Sequence, residues 1–146
     1  MSYTARFSEQ WELIDYVLGA NVAQTIETNS GYNALNNFHR VAIIIHPVAL
    51  NDALDVDIEE ALTTAGGSPQ ALASGGHDIT VAAADTTPSV IELSMDELDV
   101  NDQYDCLQVE ITTANTGGGS NYFVCEIWGF PRYLPAATTN LDSVTD

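Results

Sequence analysis

The sequence predicts an all-β chain, an antiparallel β-sandwich of jelly-roll-like form with seven or eight strands and a short N-terminal arm or helix. Three observations carry this. Val41, Ala42, Ile43, Ile44 and Ile45 are consecutive, apolar and mostly β-branched; so short a run between turn-forming segments suits a central strand buried on both faces. In residues 53–62, Leu54, Val56, Ile58 and Glu60 point one way while Asp55, Asp57 and Glu59 point the other, the period of a half-buried strand with a solvated acidic face. Turn signals recur roughly every eight to twelve residues with little helical pattern between them, as sandwiches and jelly rolls require.

Taken in order, residues 4–19 place Phe7, Trp11, Ile14 and Leu18 at helical spacing behind Ser8 as an N-cap, which predicts a short amphipathic helix or, with the same anchors, an extended arm. Residues 22–27 are strand-like, and Asn29, Ser30 and Gly31 are turn chemistry. After the central strand, Pro47 is expected to end regular pairing, because proline brings no donor to a ladder. Residues 65–76, rich in Gly, Ser and Ala, read as a long loop with room for one short strand. Strands follow at residues 78–83 and 89–94. Ser94 and Glu97 form a capping box, so one helical turn is expected at the sheet end. Residues 104–113 and 121–130 read as a hairpin, with Leu107, Val109 and Ile111 on one face of the first arm and Phe123, Cys125 and Ile127 on one face of the second. The glycine-rich residues 115–120 join them. Pro131 stops the last strand. The division expected is an arm or short helix over residues 1–21, the sandwich over 22–135 and a polar tail over 136–146, with no repeat and no second domain.

Composition narrows the function. The net charge is −18, from 21 Asp and Glu against Arg6, Arg40 and Arg132, with no lysine. Phosphate neutralisation needs clustered cations, so nucleic-acid binding is excluded as an expectation, and so is docking on anionic lipid. No signal-peptide pattern and no apolar run of membrane-spanning length is visible, which predicts a soluble protein made in a cytoplasm. Cys106 and Cys125 lack zinc spacing. On neighbouring strands they would have the option of a disulfide.

No catalytic signal emerges. His39, His46 and His77 have no ligand or carboxylate at metal spacing and read as structural or exposed. Asp99, Asn101, Gln103, Asp105 and Glu110 imitate the offsets of a calcium-binding EF loop, but Tyr104 stands where that loop needs glycine and a strand follows. Calcium held by carboxylates in another geometry is left open. There is no Gly-x-Ser-x-Gly elbow, and Gly117, Gly118 and Gly119 lack the lysine and helix of a phosphate loop. Asp55 and Asp57 as a glycosidase pair would point into solvent. No enzyme activity, cofactor or metal is expected.

Three stretches, FHRVAIIIHPVALNDALDVDIEEALTTAGG, IELSMDELDVNDQYDCLQVEITT and IWGFPRYLPA, resemble the small acidic proteins encoded beside the major capsid protein of tailed bacteriophages. The ending Pro131, Arg132, Tyr133, Leu134, Pro135 is the most distinctive part. The resemblance spans residues 33–135 and implies a head decoration or cement protein: a non-enzymatic virion component on the outer capsid surface, bound to the major capsid protein, acting as a homotrimer. Phe7, Trp11 and Tyr16 in the arm, with Arg132 and Tyr133 near the end, are the expected interface residues, since aromatics and arginine concentrate where interfaces are tight. The competing expectation is a carbohydrate-binding or host-adhesion module using Trp128, Tyr122 and acidic loops.

Overall fold

Residues 41–45 do run through the middle of a sheet. The computed structural model describes residues 11–20, 26–72, 77–113 and 119–132. Its strands are β1 (Glu12–Ala20), β2 (Ile26–Asn29), β3 (Asn33–Ala34), β4 (Phe38–Ala49), β5 (Leu54–Ala61), β6 (Gln70–Ala71), β7 (Ile79–Val81), β8 (Ser89–Ser94), β9 (Cys106–Thr113) and β10 (Tyr122–Pro131). Two single 3-10 turns, Met95–Glu97 and Val100–Asp102, separate β8 from β9.

One sheet has the order β1-β10-β4-β8; the other has β2-β9-β5-β6, with β3 also on β9 and β7 also on β5. All pairings are antiparallel. With β2 and β3 sharing one position and β6 and β7 another, this is an eight-position jelly roll in two layers. Val41, Ile43 and Ile45 of β4, Leu54, Val56 and Ile58 of β5, and Leu107, Val109 and Ile111 of β9 fill the space between the layers, all at 1% exposure or less.

Four expectations are corrected. Of the two forms expected for the N-terminal stretch, the helix does not form over Trp11 to Leu18 and the extended one does, but as a strand paired to β10 and not a free arm, so the sandwich begins before residue 22. The register shifts between Leu13 and Asp15, and this bulge sets the core-packed Ile14 and Val17 three residues apart. One extra residue in a period-two pattern imitates helical spacing. Pro47 does not end β4, which continues to Ala49 paired to β10 alone, β8 having stopped at the Ile45 to Ser89 pair. A strand with one side open can spare a donor, and β10 shifts register beside it between Tyr122 and Phe123.

Nor do β9 and β10 form a hairpin: they lie in different sheets, and their apolar faces meet across the core instead of side by side. For the same reason Cys106 and Cys125 are not on neighbouring strands. Both are free and buried; burial first, then nearby carboxylates, pushes the thiols to about 11 and about 12 respectively, which keeps them protonated and poor nucleophiles. The capping box forms as expected, Ser94 N–H donating to Glu97 Oε2 at 2.7 Å. The two residues of β3 are too few to carry an alternation that would announce them.

Candidate functional site on the four-stranded sheet

The outer face of the four-stranded sheet resolves into rows, because residues directly opposite in an antiparallel ladder share a face. Phe130, Arg40 and Ser94 make the first row; Leu13, Trp128, Ala42 and Glu92 the second; Tyr16, Glu126, Ile44 and Val90 the third; Leu18, Val124 and His46 the fourth. Most of these are apolar. Of the seven exposed large apolar side chains among the described residues, Tyr16, Leu18, Val48, Val90 and Tyr122 belong to strands of this sheet. Glu126, in the middle, accepts from Trp128 Nε1 at 3.1 Å and lies 3.7 Å from His46 Nε2.

The opposite outer face is acidic. Asp55, Asp57 and Glu59 of β5 face Thr112, Glu110 and Gln108 of β9. Asp57 stands against Glu110, and burial first, then Asp78, Asp55 and Glu59, raises its carboxyl above the ordinary value of 3.8. Folding therefore strengthens proton binding there, so the penalty is present at neutral pH and disappears as pH falls through the raised value toward 3.8. Asp57→Asn is expected to raise the urea midpoint at pH 7 and to lose that advantage in acid; equal midpoints for both proteins at pH 7 would refute the assignment.

A distinct pole forms where β1 begins and β10 ends. Trp11 stands edge-on to Phe130 at 5.7 Å between ring centroids. Arg40 lies over the same ring at 5.7 Å, a cation-π distance, and His39 is 6.3 Å from it. Arg132 is pinned beside them: its backbone N–H donates to Asn37 O and its Nε to Phe38 O, both at 2.8 Å. Both arginines among the described residues thus sit at one end of a chain whose net charge is −18.

Of the expected interface residues, the fold brings Trp11 and Arg132 to this pole and leaves Tyr16 away from it, 57% exposed on the third row. Phe7 and Tyr133 lie outside the described residues. Phe130, His39 and Arg40 are additions that the sequence reading misses. Their signal is the basic pair placed directly before the β-branched run, at a strand end where side chains leave the ladder. The sugar platform does not assemble: Trp128 is 8% exposed with its ring N–H engaged, and Tyr122 lies six residues along β10, roughly 20 Å away.

The imitation EF segment does not converge, since Asn101 and Gln103 are exposed while Glu110 sits on β9 against Asp57. Among the described residues no three of His, Cys, Asp and Glu are grouped as metal ligands. His77 Nε2 meets Glu97 Oε1 at 2.7 Å, a pairing that sequence spacing does not reveal. Glu97 is held below the usual carboxylate range chiefly by Ser94 N–H, with help from His77. An open cleft of about 630 Å³ beside the pole is lined by Asp96, Asp105, Val100 and Arg132 among others.

No family model matches the chain, and no curated protein matches it. Among solved structures it is similar to the coat protein of Tobacco streak virus, with a TM-score of 0.42 at 8% identity over 98% of this chain and 100% of that one. A structure of the coat protein dimer from the same virus gives a TM-score of 0.39 at 8% identity, covering 94% of this chain and 98% of that one.

Proposed function

We propose that this chain is a structural virion protein that binds the outer surface of a tailed-phage capsid and stabilises it as a cement or decoration protein, with the major capsid protein as partner and a homotrimer as the bound unit. The observation that carries this is the pole: Trp11, Phe130, Arg40 and Arg132 meet at one end of an otherwise acidic sandwich. Aromatics and arginine are the residue types that anchor tight interfaces. The sequence resemblance supplies the partner, and its three stretches contribute the strands β4, β5, β8, β9 and β10 that carry the pole and the core.

Cement action follows from burial. A protein straddling subunit boundaries adds interface that an opening shell must lose, about 1,600 Å² for one standard contact. Three linked copies gain further through effective concentration. The acidic sheet, turned outward, keeps decorated particles apart.

The test mixes the purified chain with heads that lack it and counts bound copies. Binding should saturate at a lattice-related number, and Arg40→Glu, an exposed change, should weaken it by about tenfold or more with folding intact, as loss of an interface anchor does. Saturation at an unrelated number, or indifference to Arg40→Glu, would refute the reading.

A further inference from the structure

We infer that the pole is a receptor for a carboxylate: the partner surface presents one aspartate or glutamate side chain to the guanidinium of Arg40, beside an apolar side chain that enters the cleft next to Arg132. The inference rests on the cement reading for its partner and adds the chemistry that the partner must bring.

Charge pairing is the first argument. The chain has 21 Asp and Glu against three arginines, so acceptors for a guanidinium are plentiful. Yet the ion pairs among the described residues belong to His46 and His77, and neither Arg40 nor Arg132 has one there. The carboxylates around them are held by other donors. Asp96 accepts from Ser94 Oγ, and Ser94 stands opposite Arg40 in the ladder. Glu97 accepts the Ser94 N–H and meets His77 Nε2, both at 2.7 Å. Glu126 accepts from Trp128 Nε1, and Asp105 from Cys106 Sγ at 3.4 Å. The positive charge at this end is left for another molecule.

Geometry is the second. Arg40 is exposed and lies over the Phe130 ring, which Trp11 braces edge-on. An aromatic beneath a guanidinium restrains it while leaving the N–H groups at its edge free, the fork that matches a carboxylate with two parallel hydrogen bonds. Arg132 is held by its Nε on Phe38 O, which leaves its terminal N–H groups for the same partner.

The cleft is the third. Of the seven exposed large apolar side chains among the described residues, the two that lie off the four-stranded sheet, Leu62 at 37% and Val100 at 48%, both line it with Arg132. Its volume of about 630 Å³ falls in the range of ligand clefts. Asp96 and Asp105 line it too and repel a second carboxylate, so the site suits one acid flanked by an apolar residue and not an acidic run. A nucleic acid, charged at every phosphate, meets that repulsion along its whole length.

The full chain is tested with nitrogen-15-labelled arginine, when its three arginines give three side-chain Nε–H signals and Arg40→Lys identifies one by removing it. The probes are the capped tripeptide acetyl-Phe-Glu-Phe-amide, its Gln counterpart and inorganic phosphate. The Arg40 signal should move saturably with the Glu peptide and stay in place with the Gln peptide. On heads, Arg40→Lys should weaken binding about tenfold, because the charge survives and the second hydrogen bond does not, while its urea midpoint matches that of the unaltered chain. Heads whose surface carboxylates have been converted to neutral amides with carbodiimide and ethanolamine, and which remain intact by electron microscopy, should no longer bind.

An Arg40 signal indifferent to the Glu peptide, or moved more by phosphate than by it, would overturn the inference. Self-association on sedimentation that Arg40→Lys abolishes would give the site to a second copy and overturn it too. Undiminished binding of Arg40→Lys, or of the unaltered chain to amidated heads, would overturn it and leave the cement reading in place. Heads that bind no chain at all, with the Arg40 signal still selecting Glu over Gln, would retire the cement reading and leave the carboxylate receptor standing.

Discussion

Replacing Glu60 by leucine should cost about 2 kcal/mol of folding stability, because two part-buried hydrogen-bond donors lose their acceptor and an unmatched donor costs roughly 1–3 kcal/mol where water is kept out, less where it enters. Glu60 lies on the core side of β5, wholly buried and opposite Leu107. Its Oε1 accepts from Gln70 Nε2 at 2.7 Å and its Oε2 from the backbone N–H of Asp99 at 2.9 Å. Those contacts tie β5 and β6 to the stretch between the 3-10 turns, where the chain passes from one sheet to the other. Leucine matches the glutamate in bulk, so the loss measures pairing and not a void. Glu60→Gln keeps an acceptor for Asp99 and should cost under about 1 kcal/mol, in line with a neutral hydrogen bond replacing a charge-assisted one. Urea unfolding of both variants decides: equal losses, or none from leucine, would show that the carboxylate pins nothing.

Glu60 also shows what a sequence can disclose. The alternation of residues 53–62 is enough to put it on the core side, since period two is a local property of one strand. The β-branched run of β4, the alternation of β8 and the Ser94 to Glu97 box are legible for the same reason. Partner choice is not. β9 and β10 each show one apolar face, and nothing in either says whether the two faces lie side by side in one sheet or oppose each other across the core. In a jelly roll successive strands cross between layers, so adjacency along the chain misleads. β1 is hidden by its bulge, which turns a strand's alternation into the spacing of a helix.

The pole is half visible. Trp11 and Arg132 stand out by residue type, but they are 121 positions apart and come to the same end of the sheet because β1 begins opposite the end of β10, at the Glu12 to Gly129 pair. Arg40 and Phe130 join them through the pairing of β4 with β10. Segregation of charge is likewise implicit in the acidic face of β5. That the remaining sheet turns an apolar face outward follows only once the layers are known, because the same residues on a central strand could equally have been covered by a second layer.

Gly129→Val is expected to destabilise the fold by about 3 kcal/mol or more, the upper range for forcing volume into a packed core. A Cβ at position 129 falls within the ring of Phe38 and 2.8 Å from Ile14 Cδ1. Phe38 is 8% exposed and closes the core beneath the pole, while Ile14 packs at the bulge of β1. Neither can withdraw without opening the first row of the sheet. Position 19 repeats the device at the far end of β10, where the ring of Phe123 occupies the space of the missing Cβ on Gly19, so each end of the strand is capped by an aromatic lying over a glycine. The clash is specific to the ring, and a double-mutant cycle with Phe38→Ala isolates it: the pair of changes should cost at least about 1 kcal/mol less than their sum, as contacting residues that share one space do. Because Arg132 donates to Phe38 O, displacing Phe38 should also loosen the pole, and Gly129→Val should lose binding to phage heads at temperatures where it is still folded. Additive costs, or head binding that survives unchanged, would separate the core at this end from the surface above it.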